Sequence, residues 1–73
     1  MSGSTLIDAR GMRCPWPALR AARAMRDSTD VLVLADDPIA PGELAALAAQ
    51  RGWQCSAVED VRAPAFRLFA ASH

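Results

Sequence analysis

Apolar side chains recur along this chain with two distinct periods, and the changes of period mark out its elements. Thr5, Leu6 and Ile7 precede Gly11 and form a β-branched, aliphatic run that predicts a first strand over residues 5–9. From Pro15 the spacing lengthens. Ala18, Leu19, Ala22 and Met25 recur every three to four positions with Arg20, Arg23 and Asp27 on the other side, the pattern of an amphipathic helix over residues 15–27. Residues 31–35, VLVLA, are continuously apolar between Asp30 and Asp36 and predict a strand covered on at least one face. Turn chemistry follows in DDPIAPG. Strong helix formers over residues 42–51 then predict a second helix, with Gly52 where a left-handed C-terminal cap belongs. Residues 53–60 and 65–71 alternate with period two and flank a turn at Val61–Pro64, which reads as a hairpin.

The resulting order is βαβαββ. Because β-to-β crossovers are right-handed, both helices pack on one face of the sheet. The fold class expected is therefore an α/β (α+β) two-layer sandwich with a four-stranded mixed sheet. Met25, Leu19 and Leu47 are the expected core, together with Met12, which has a second possible place beside the thiol of Cys14.

Composition narrows the function classes. At 73 residues the chain reads as one domain, 1–73, with residues 1–4 expected to be flexible and no room for a large enclosed cleft. Eight arginines balance eight acids and lysine is absent, so no global charge steers the protein toward nucleic acid or an anionic membrane. The N-terminus lacks a basic start and an apolar signal core, which predicts a cytoplasmic protein without a membrane segment. Cys14 and Cys55 make no disulfide framework. With the single histidine at position 73 they cannot complete a four-ligand zinc site, and His73 is assigned no role.

Cys14 is the candidate for chemistry. A residue before proline is pushed out of the helical region and proline is favoured at the first helical position, so Cys14 is expected as the N-cap of the first helix. There the orphan amides and the macrodipole favour an anion, and a lowered thiol pKa is expected, with Arg13 adding positive charge. Pro17 has no amide to give, which leaves that of Trp16 to bond the sulfur. The same spacing fits an ordinary buried cysteine ahead of an ordinary helix start.

Asp8, Gly11, Cys14, Pro15 and Pro17 spell Asp-x-x-Gly-x-x-Cys-Pro-x-Pro, and residues 34–38 read LADDP. On these motifs and the element order the chain resembles the TusA, or SirA-like, sulfurtransferase family. The resemblance implies a sulfur carrier that receives sulfane sulfur on Cys14 as a persulfide and relays it, with no metal or organic cofactor. Arg13, Pro15, Trp16, Pro17, Asp8 and Gly11 are the supporting positions. Implied partners are a cysteine desulfurase or other persulfide donor protein and a downstream acceptor; direct nucleic-acid binding is not expected, and the assembly expected is a monomer or weak dimer. Two positions depart from the pattern: Trp16 stands where tRNA-thiolation members often carry an acid, and helix two, which in the family usually begins with an acid, an aliphatic and a proline, has Glu43, Leu44 and Ala45 in those places.

Each remaining residue has two readings. Asp8 and Arg10 either brace the loop or are solvated; Trp16 either docks a partner or covers the sheet edge. Asp36 and Asp37 read as turn formers ahead of Pro38, with a part in function resting on the family match alone. Arg20, Arg23 and Arg26 form a basic side that engages a partner or is simply solvated, with Arg23 and Asp27 spaced as an i, i+4 pair. Cys55 reads as a small buried residue. A non-catalytic binding or regulatory module of the same fold, which also resembles the C-terminal domain of a translation initiation factor, would use Trp16 and these arginines instead of the thiol. A redox pair of Cys14 with Cys55 would need the two sulfurs within disulfide reach.

Overall fold

In the computed structural model, which describes residues 5–70, the chain runs through β1 (Thr5–Asp8), α1 (Trp16–Ala24), β2 (Asp30–Leu34), α2 (Ala40–Arg51), β3 (Trp53–Val58) and β4 (Ala65–Ala70). The flexibility expected of residues 1–4 and the end at His73 lie outside the described residues. The sheet order is β1-β2-β4-β3, with β1 parallel to β2 and β4 antiparallel to both β2 and β3. The sheet is thus mixed and the last two strands pair as the expected hairpin.

One face of the sheet makes the core. Val31 and Val33 of β2 lie in register with Leu68 and Phe66 of β4. They pack with Ala21 and Met25 from α1 and with Ala40, Leu44 and Ala48 from α2. The α2 contributors are spaced i, i+4, i+8, and two of the three are alanines, which let the helix lie close to the strands. Leu44 and Leu68 are fully buried, each contributing about 1.5–3 kcal/mol of transfer free energy. On the reverse face, alternation places Leu34 and its register partner Ala65, both buried, beside a more exposed surface. There Arg67 reaches Asp30 at 2.6 Å and sits 4.3 Å from the centroid of Phe69.

Three expectations shift. The apolar stripe of α1 is rotated: Pro17, Ala21 and Met25 are buried, whereas Leu19 is 50% exposed. At about 100° per residue Leu19 stands roughly 200° from Pro17, so both cannot face the sheet. Secondly, α1 stops at Ala24. The amides of Arg26 and Asp27 bond the carbonyls of Arg23 and Ala24, three positions back, which tightens the last turn and takes Asp27 off the helix. Among the described residues Arg23 and Asp27 form no ion pair. Thirdly, α2 begins two residues earlier than the turn chemistry predicted. Asp37 holds the entry, its Oδ1 accepting from the Ile39 amide at 3.1 Å and its carbonyl from Ala40 at 3.0 Å. Pro41 then falls in the first turn, where its missing N–H removes no helical bond. Gly52 ends α2 at φ 74°, the left-handed cap expected of it.

Candidate functional site

Gly11 opens the loop that carries Cys14. Its φ of 80° belongs to the left-handed region that side chains disfavour, and it turns the chain away from β1. Ala9 still donates to Leu34 at 2.8 Å, so the loop leaves from the end of a paired strand. Two aspartates after β2 then hold it from outside. Asp36 Oδ1 accepts the Gly11 amide at 2.9 Å and Asp37 Oδ2 accepts the Cys14 amide at 2.7 Å. Asp37 therefore spans the Cys14 loop and the start of α2 with its two oxygens. These turn residues are the scaffold of the cysteine, a larger part than their sequence context predicted.

The expected N-cap role of Cys14 does not hold. The Cys14–Pro15 peptide bond is cis, and the Trp16 amide donates to the Arg13 carbonyl at 2.8 Å, closing a turn with proline third. Pro15 is the cap residue, the first helical bond runs from Leu19 to the Pro15 carbonyl at 3.0 Å, and no side chain caps α1. The amide assigned to the sulfur is thus already used, and Cys14 lies one residue before the cap.

The expected electrostatics reverse as well. Partial burial pushes the Cys14 thiol pKa up; the Glu43 carboxylate, which also hydrogen-bonds the thiol, pushes it further, and Asp37 adds to this. Glu43 lies in the first turn of α2. The charged groups that act on the thiol are carboxylates, not Arg13, and with partial burial they favour the protonated thiol over the thiolate. Neither acid belonged to the expected site; Glu43's place in an acid-aliphatic pair at the start of α2 was the sequence signal for it.

Cys14 is partly exposed and lines an open groove of about 550 Å³ together with Gly11, Met12, Arg13, Asp36 and Ile39. Met12 also packs against the core, so it serves both of the places considered for it. Cys55 is partly buried within β3, and burial raises its pKa too. Cys14 follows β1 while Cys55 sits on β3, the opposite edge of the sheet; three strand spacings put those edges roughly 14 Å apart. Disulfide reach requires Cα atoms within about 7 Å. Both cysteines are free.

The profile of the family described as sulfurtransferase TusA matches residues 5–70. The chain belongs to that family. The crystal structure of a SirA-like protein from Desulfitobacterium hafniense is similar to it with a TM-score of 0.82 at 29% identity, over 93% of this chain and 99% of that one. For this TusA-family chain, membership carries the general role of a sulfur carrier, and no described helix is long and apolar enough to cross a membrane.

The family motif residues do not all gather at the sulfur. Asp8 clasps Arg10 through two bonds, Nε to Oδ1 at 2.8 Å and Nη2 to Oδ2 at 2.6 Å, and its Oδ1 also accepts the Arg10 amide at 3.2 Å. The side-chain hydrogen bonds with Arg10 lower its pKa to about 2. It braces the base of the loop. Asp60 and Arg62 repeat the same two-residue clasp in the β3–β4 loop, with the lateral bond at 2.7 Å, and the two clasps interact with one another. Pro17 is buried, while Pro15 is exposed and Trp16 is 58% exposed, lining a surface groove with α1 side chains.

Proposed function

We propose that this protein relays sulfane sulfur as a persulfide on Cys14, acting as a cofactor-free sulfurtransferase between a donor protein and an acceptor in the cytoplasm. The observation that supports this most directly is the contrast between its two thiols. Cys14 lies in an open groove on a loop held by Asp36 and Asp37; Cys55 lies within a strand and packs against the core.

In the transfer, the Cys14 proton passes to the Glu43 carboxylate and the thiolate attacks the outer sulfur of the donor persulfide. A bond forms between Sγ and that sulfur as the donor's S–S bond breaks. The departing donor thiolate takes the proton from Glu43, so a thiol and a persulfide exchange with no oxidant or reductant. The second transfer runs the same way, with the acceptor as nucleophile. A raised thiol pKa suits such a carrier, because less of the oxidation-prone thiolate is present between transfers.

Incubation with a cysteine desulfurase and cysteine tests this by mass spectrometry. The native chain and Cys55→Ser are expected to gain one sulfur atom, and Cys14→Ser to gain none. A gain that persists in Cys14→Ser would reject the assignment.

A further inference from the structure

A second groove, of about 540 Å³, runs along α1 beside the sulfur loop. Trp16 and Leu19, 58% and 50% exposed, form its apolar part; Arg20, Arg23 and Arg26 of α1 and Arg51 at the end of α2 surround them. Arg10, Arg62 and Arg67 each clasp an aspartate. Among the described residues, none of the four groove arginines forms a salt bridge. In a chain whose eight positive and eight negative side chains cancel, four guanidiniums around one indole make a local positive potential that the neighbouring acids do not neutralise.

We propose that this groove docks an acidic segment, studded with apolar side chains, of a protein that exchanges sulfur with Cys14; the inference rests on the relay function above. Carboxylates of the partner pair with the guanidinium forks, and an apolar side chain seats on Trp16 and Leu19. Exposed tryptophan and arginine are the residue types that anchor protein interfaces. Trp16 follows Cys14 by two residues, so a partner held here presents its own sulfur at the mouth of the first groove. Single-stranded nucleic acid also stacks on indole and pairs with arginine. A strand continuing toward the sulfur, however, meets Asp36, Asp37 and Glu43, and a chain of pI about 6.5 lacks the basic excess of nucleic-acid binders.

The test is calorimetric titration of the full chain with a synthetic helical peptide carrying glutamates at i, i+3 and i+4 beside a leucine stripe. Binding is expected to saturate, to weaken as salt rises, and to fall at least about tenfold in R23E/R26E. R20Q/R51Q, which removes charge without reversing it, is expected to weaken binding less. Loading of Cys14 from inorganic polysulfide is expected to be unchanged in R23E/R26E, whereas failure of the relay itself would leave the native chain unloaded as well. Absence of saturable binding by the native chain, unchanged affinity in both variants, or tighter binding of a polyuridine strand of equal charge would overturn the proposal.

Discussion

Partial burial, then Glu43 and Asp37, push the Cys14 thiol pKa up. A cysteine near two helix starts has reason to ionise easily, yet the thiol here sits beside a carboxylate that accepts its proton in a hydrogen bond and opposes its charge, and Asp37 opposes it too. Removing the Glu43 charge while keeping the shape favours the thiolate, so Glu43→Gln should move the pH profile of Cys14 alkylation by iodoacetamide to lower pH, with Cys55 as the internal reference. The sign follows from the raised pKa: a proton held more tightly in the folded state is retained to higher pH, and loss of the holder releases it earlier. A profile that stays in place or moves up would remove Glu43 from the account. At neutral pH, where the native Cys14 thiol hands its proton to Glu43, the same variant should accept sulfur more slowly than its larger thiolate fraction implies, because the departing donor thiolate has lost its proton source.

At the scale of elements, the site depends on where each helix begins. Both helices follow strands of the same direction, so α1 and α2 start at the same end of the sheet, and this brings Glu43 of α2 to the loop that precedes α1. Asp37 ties the two starts together through the Cys14 and Ile39 amides. The other end of α2 is fixed by Gly52, whose amide reaches back to the carbonyls of Ala48 and Ala49. A Cβ at Gly52 would meet no atom within 4 Å, so a substitution there is opposed by backbone conformation alone. Gly52→Ala is expected to lower stability by about 1–2 kcal/mol, the penalty for a left-handed L-residue, with Gly52→Asn milder. Urea unfolding midpoints measure both, and an unchanged midpoint for alanine would mean that the cap relaxes at no cost.

For the molecule as a whole, helices cover one face of the sheet and the other remains partly open, so stability concentrates in a thin layer between β2, β4 and the helices. Leu68 is at its centre, fully buried on a strand that pairs on both sides. Leu68→Ala is expected to destabilise the fold by about 2–5 kcal/mol through lost burial and a residual cavity. Such a loss is severe for a domain this small, and it should appear as a drop in thermal midpoint with the alkylation profile of Cys14 unchanged below the transition.

Much of this fold was legible along the chain because strand and helix periods are properties of the local backbone. VLVLA, the alternation after Gly52 and the glycine and proline positions mark all the elements to within a few residues. The cysteine loop was legible for the same reason, as a short motif of left-handed glycine, proline and thiol. The phase of α1 was not, since three to four spacing fits Leu19 as well as Pro17 until the sheet selects a side. Nor was the chemistry of the sulfur. Its amide is held by an aspartate 23 positions away, and its ionisation is opposed by burial and by acids that approach through space. Local pattern specifies which elements form, because each residue's backbone preference acts on its near neighbours; ionisation and exposure come from distant groups, whose distances exist only once the layers have packed.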